Sequence, residues 1–231
     1  MASQIRSVPQ GVEDQIGELR VLIAEMGGRA EHAIAGAVAA LTRGDEIGAK
    51  QIVAEDAAID CMATKVERLS VAIIGQGVLQ DSDLRDVVAA LKMAGVVERI
   101  GDYAKNIAKR VPQIRNNRKI EAVSVLPAMA EAAMAMVRDA LDAFAARDPA
   151  KAVAVTRRDR QVDDFYDAIF RALVTHMMEN PPTISAAAQL LFVAKNLERI
   201  GDHATNIAEM VYFAATGDQM AERERGTGEI G

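Results

Sequence analysis

Apolar residues recur at three- and four-residue spacing along nearly the whole chain, with no sustained alternation of period two. That period belongs to amphipathic helices and excludes a sheet of half-buried strands. Where it is interrupted, six long helices separate. The first runs from about Val12 to Thr42, with Gly27-Gly28 as its weak point. Gly44-Asp45 make a turn, and a second helix follows to about Ile74. The segment GQGVLQDSD is a loop whose Ser82 or Asp83 caps a third helix, from about Leu84 to Val111. The later half repeats the plan. One helix covers about Val123 to Ala146; Asp148 then caps another, with Pro149 at its first position, ending near Asn180. The last starts at Thr183 or Ser185 and stops at Gly217. Residues 1–10 and 218–231 read as tails, the latter polar and frayed.

The two halves are related in sequence. VERIGDYAKNIAKRV (Val97 to Val111) matches LERIGDHATNIAEMV (Leu197 to Val211) at an offset of 100. RGDEIGAKQIVAEDAAID (Arg43 to Asp60) aligns with ARDPAKAVAVTRRDRQVD (Ala146 to Asp163) at an offset of 103. The difference falls in the loop between second and third helices, where a change of length costs little. The expected fold is therefore all-α: two tandem antiparallel three-helix bundles from an internal duplication, over residues 11–116 and 117–217.

Composition narrows the function classes. Of 231 residues 50% are hydrophobic but only 3% aromatic, with no Trp, which suits helices packed through small and aliphatic side chains. A net charge of −6 with no basic block argues against nucleic acid as the main partner. A single cysteine, Cys61, excludes an internal disulfide, fits a reducing compartment, and reads as a small core residue. MASQIRSVPQ lacks the apolar stretch of a signal peptide, and no run approaches the roughly 18 apolar residues of a membrane span. A soluble cytoplasmic protein without membrane insertion is expected.

Both third helices keep Glu-Arg-Ile-Gly-Asp followed by Asn-Ile-Ala, setting Glu98, Asp102 and Asn106 on one helix face, and Glu198, Asp202 and Asn206 likewise. The second helices add Asp56 with Asp60 and Asp159 with Asp163. Against the seam of Ile52, Ile59, Val66 and Ile73, Asp56 lies about 40° away and Asp60 about 80° away. A carboxylate that close to a buried stripe is costly unless neutralised. Each bundle can thus gather four carboxylates: Asp56, Asp60, Glu98 and Asp102, then Asp159, Asp163, Glu198 and Asp202. A salt bridge, such as Asp102 with Lys105 or Arg99, is one remedy; a bound cation is the other. All-oxygen donors favour Mg, Ca or Mn, and carboxylate-rich sites also take Fe or Zn. Gly101 and Gly201, unfavourable inside helices, suggest a close helix approach or room for an ion.

Other chemistry is weakly supported. His32, His176 and His203 make no Glu-x-x-His pair of a di-iron bundle; only His203, beside Asp202, could join a site, and Tyr103 replaces it in the first copy. Met26, Met62, Met129, Met134 and Met136 read as core. No phosphate loop, dinucleotide fingerprint, nucleophile elbow or Cys-x-x-Cys pair occurs, so no enzyme is expected.

ERIGDYAKNIA and ERIGDHATNIA resemble the paired signatures of the PhoU family, regulators associated with bacterial phosphate uptake. Met26-Gly27-Gly28, Asp83-Leu84-Arg85 and the closing Val211-Tyr212-Phe213 are similar too, so the likeness spans about Gln15 to Gly217. GQGVLQ departs from the family's usual proline-containing turn. The resemblance implies a non-enzymatic cytoplasmic homodimer that negatively regulates the phosphate-starvation response. Its implied partners are a sensor histidine kinase and the ATPase subunit of the phosphate transporter. It also implies multinuclear metal clusters, carried here onto Asp56, Asp60, Glu98, Asp102, Asp159, Asp163, Glu198 and Asp202. The alternative on the same residues is a carboxylate-site bundle for metal storage or a metalloenzyme.

Overall fold

The computed structural model describes residues 10–114 and 120–221. Among these residues are six long helices and one short one: α1 (Gln10–Arg43), α2 (Glu46–Gly75), α3 (Asp81–Ala108), α4 (Val111–Ile114), α5 (Leu126–Ala146), α6 (Pro149–Glu179) and α7 (Ile184–Thr216). Single 3₁₀ turns lie at Glu121–Ser124 and Pro181–Thr183. Of the expected tails, residues 1–9 and 222–231 lie outside the described residues, while Gln10 already belongs to α1.

Local chemistry explains most of these boundaries. Asp45 accepts the backbone N–H groups of Ile47 (3.1 Å) and Gly48 (2.9 Å), satisfying two of the orphan donors at the start of α2. Asp148 does the same at α6, accepting from Ala150 (2.9 Å) and Lys151 (3.0 Å), with Pro149 in the first turn. Helix α7 stops at Gly217, whose φ of 84° ends the helix in the left-handed region.

Five expectations are corrected. Helix α3 starts at Asp81 with Gln80 as its cap, not Ser82 or Asp83; Asp81 and Asp83 sit in the first turn, where the helix dipole favours them. It ends at Ala108, because Pro112 has no N–H to offer the Ala108 carbonyl, and the chain re-enters helix at α4. Helix α1 runs unbroken through Gly27-Gly28; a Cβ at Gly27 would collide with Leu141 Cδ1, so this glycine serves the approach of α5. Cys61 is exposed, not core: two residues past buried Ile59, it is turned about 160° away from it. Likewise Met134 is only partly buried, whereas Met26, Met62, Met129 and Met136 are in the core.

Helices α1, α2 and α3 pack on one another, as do α5, α6 and α7, giving two tandem three-helix bundles. The bundles meet through α1 against α5 and α3 against α7, so one apolar core runs through both, while α2 and α6 lie outside. Small side chains allow this: Ala90, Ala94, Gly101, Ala104 and Ala108 on α3, and Ala187, Ala194, Gly201, Ala204 and Ala208 on α7, are buried.

A charged clasp closes one end of the junction. Asp86 on α3 is 2% exposed and accepts from Arg20 of α1 (2.5 Å) and from Arg147 beyond α5 (2.7 Å). Arg147 also reaches Asp83 at 3.3 Å. Its φ is 51°, the one positive value outside glycine among the described residues. The aligned position in the first half is Gly44, with φ 65°. The second copy therefore carries arginine in a conformation that glycine adopts freely, and the guanidinium anchors the second bundle to the first.

Removing Asp86 takes the buried carboxylate from Arg20 and leaves Arg147 its longer contact with Asp83, and Asp86→Ala should lower stability by about 3 kcal/mol in urea denaturation. Arg147→Gly, which relieves the backbone, should lose about 1 kcal/mol less than Arg147→Ala.

Candidate functional site

The eight acids fall as two sets on the outer flank of the bundles, where α2 meets α3 and α6 meets α7. In each, the aspartate nearer the seam is buried and the other exposed: Asp56 at 7% and Asp159 at 4%, against exposed Asp60 and Asp163. On the partner helices Glu98, Asp102 and Glu198 are half-buried and Asp202 is exposed. The shared glycines are what admit the buried carboxylates. A Cβ on Gly101 would stand 2.9 Å from Ile59 Cδ1 and 3.3 Å from Asp56 Oδ1; on Gly201 it would stand 3.4 Å from Val162 Cγ1 and 3.5 Å from Asp159 Oδ1.

In the first set the carboxylates feel one another. Burial, then Asp60, Asp102 and Asp56, push the Glu98 carboxyl above its ordinary range, against the pull of Arg99. What burial Asp60 has, followed by Asp56, pushes it up as well, with Lys105 opposing and Asp102 adding. At the centre stands Lys105. Its Nζ donates to Asp56 Oδ2 on α2 and to Asp102 Oδ1 on α3, both at 2.5 Å. These hydrogen bonds, first Asp102 and then Asp56, raise the Lys105 pKa, so the ammonium stays charged at neutral pH. The expected salt bridge of Asp102 is thus present, and it extends across two helices.

The second set is arranged differently. Thr205 stands where Lys105 does in the first copy, and its Oγ1 donates to Asp159 Oδ1 at 3.4 Å. Lys195 pairs with Glu198 on the same helix and lies 5.1 Å from the centre of the Tyr166 ring. The position aligned with Lys195 in the first copy is Gly95.

Tyr103 and His203, aligned in the duplication, face each other where α3 crosses α7. Their rings stack at 5.4 Å, His203 Nε2 is 3.3 Å from Tyr103 Oη, and Arg199 stands 5.8 Å from the Tyr103 ring centre. Burial and then the Arg99 guanidinium push the His203 imidazole below its usual range, with Asp202 pulling the other way. His203 thus serves the bundle junction, and Arg199 reaches across to it. The sequence pairs Lys105 with Asp102 but gives no sign that it also reaches Asp56, nor that Tyr103 and His203 stack. The offset of 100 lines Lys105 up with Thr205 and Tyr103 with His203, which was the available signal.

Residues 23–111 and 126–211 each match the PhoU domain. The chain belongs to the PhoU family. It is 52% identical over 225 residues to the phosphate-specific transport system accessory protein PhoU homolog of Zymomonas mobilis, covering 97% of this chain and 95% of that one. The Caulobacter vibrioides homolog is 41% identical over 211 residues, covering 91% and 92%. The crystal structure of PhoU from Pseudomonas aeruginosa superposes with a TM-score of 0.85 at 34% identity, over 89% of this chain and 99% of that one. The phosphate transport system regulatory protein PhoU from Streptococcus pneumoniae gives 0.84 at 27% identity, over 91% and 100%. Each acidic set lies within one PhoU domain match.

Among the described residues, no three Asp, Glu, His or Cys side chains converge closely enough to hold a metal. In the first set the reason is visible, since the Lys105 ammonium occupies the oxygens that a bridging ion would need. As arranged, the first set does not fit a bridging metal.

Two measurements follow from the site. Glu98 titrates near 4.5 in the unfolded chain and higher when folded, so its charged form costs stability above the folded pKa, and that cost vanishes as pH falls through 4.5. Glu98→Gln should therefore raise the urea midpoint at pH 7, with the gain shrinking towards pH 4. Gly201→Ala meets only ordinary contacts and should gain about 0.5–1 kcal/mol from helix propensity. Gly101→Ala, pressed against Ile59 and Asp56, should gain less in the same denaturation assay.

Proposed function

We propose that this chain is a regulatory adaptor of phosphate uptake and phosphate homeostasis, acting by binding proteins and not by catalysis. It restrains the phosphate-starvation response from the cytoplasm, as a homodimer, through contacts with a sensor histidine kinase and the ATPase subunit of the phosphate transporter. The observation that carries this reading is the likeness to accessory proteins of phosphate-specific transport over 97% of the chain, with both PhoU domains present.

The shape suits the role. Two bundles locked through a common core make a rigid body with long lateral helices, and α6 presents Phe170, Val174 and Met178 to solvent four residues apart. Exposed apolar side chains repeating along one helix face are what a protein partner can cover. Among the described residues no helix is long and apolar enough to cross a membrane, which fits an adaptor that meets membrane complexes from one side.

Tagged protein recovered from phosphate-replete cells should bring down the transporter ATPase subunit or the sensor kinase. Deleting its gene should switch on a phosphate-starvation reporter in the same medium. Recovery of neither partner together with an unchanged reporter would overturn the adaptor reading.

A further inference from the structure

The two acidic sets derive from one ancestral unit, yet they differ in the residue at their centre. In the first, Lys105 Nζ lies 2.5 Å from one carboxylate oxygen on each helix, Asp56 Oδ2 and Asp102 Oδ1. The Asp56 side chain is 8% exposed, that of Lys105 22% and that of Asp102 46%, so the bridge is withdrawn from water at its Asp56 end. In the second set the aligned residue is Thr205, which carries no charge and binds only Asp159 among these acids. Lys195 is no equivalent: it pairs with Glu198 on its own helix, and 42% of its side chain is exposed.

We propose that the Lys105 ammonium is the permanent counter-ion of the first acidic set, so that this set takes no metal ion. The argument is one of competition for the same oxygens. A small divalent ion binds carboxylates at about 2.0–2.2 Å and would need Asp56 and Asp102 together to bridge α2 and α3. The ammonium already joins those two oxygens, and it comes from within the helix at no cost of association. An ion entering there would strip Asp56 of its partner and drive Lys105 into solvent. In the second set Thr205 takes the place of Lys105, and Lys195 pairs with Glu198 and lies over the Tyr166 ring. This inference concerns the chain's own residues and stands independently of the adaptor reading.

Mn²⁺ binding to the full chain, followed by equilibrium dialysis with elemental analysis, tests it. Asp102→Asn should leave the wild-type affinity and stoichiometry within about twofold, because no ion sits there. Lys105→Met, and separately Lys105→Gln, should add a bound Mn²⁺ that the further change Asp102→Asn removes, weakening it about tenfold or more, as loss of a ligand does. Circular dichroism identifies whichever lysine variant keeps the parent's helicity for the comparison. Wild-type Mn²⁺ affinity falling tenfold in Asp102→Asn would overturn the proposal. So would a folded Lys105 variant that binds no more Mn²⁺ than the parent.

Discussion

Two three-helix units can share a single core only if some of their helices are apolar on two faces. Helices α1, α3, α5 and α7 meet that demand: each packs within its own bundle and against a helix of the other. A helix with neighbours on both sides cannot carry bulky side chains on both. The buried residues of α3 and α7 are accordingly rich in Ala and Gly, and Gly27 on α1 makes room for Leu141. The scarcity of aromatics and the absence of Trp follow from the same crowding. The inner helices are committed on both sides, and the acidic sets of each unit lie on the outer flank with α2 and α6.

The acidic sets occupy that flank. A carboxylate at the edge of a seam needs space beside the facing backbone and a charge to balance it. Gly101 and Gly201 supply the space in both copies, which explains glycine in the middle of long helices. The balancing charge is where the copies part. Lys105 ties α2 to α3 through Asp56 and Asp102, whereas Asp159 is met by a hydroxyl and Glu198 by a lysine of its own helix. The same four acids thus sit in unequal electrostatic surroundings, and the first set is joined across its helices by the protein's own cation.

The sequence makes legible whatever depends on nearby residues or on repetition. Asp45 and Asp148 cap their helices, Gly217 ends the last one, and the period of the apolar stripe fixes which aspartate of each pair is buried. The duplication predicts the tandem bundles and the eight acids on facing helices. What it leaves dark are contacts between residues far apart in the chain. Nothing local in Arg147 announces that it closes on Asp86, 61 residues away. An apolar stripe does not divide itself between the interior of a bundle and a second bundle, so Gly27 reads as a weak point until Leu141 is seen against it. Cys61 is misplaced for the opposite reason: its residue type suggests burial, but its angle on α2 turns it outward.

Comparison of the copies shows where duplication had to give way. Two identical bundles could meet face to face about a two-fold axis, but here the copies differ at positions that touch across the junction. Three of the differences lie there. Gly44 has become Arg147, a residue held at φ 51° so that its guanidinium reaches across to Asp86, whose aligned position in the second copy is the buried Ala186. Tyr103 is matched by His203, and the two stack on each other across the junction, so that equivalent positions have become complementary partners. Lys105 and Thr205 lie two positions beyond that pair on α3 and α7, which carries the asymmetry out to the acidic flanks. A polar clasp at one end and a stacked pair at the crossing fix one orientation of the bundles, something a purely apolar contact between Ala-lined helices would leave free to slide. That fixed orientation is imposed at positions where the copies differ: Arg147 for Gly44, Asp86 for Ala186 and His203 for Tyr103.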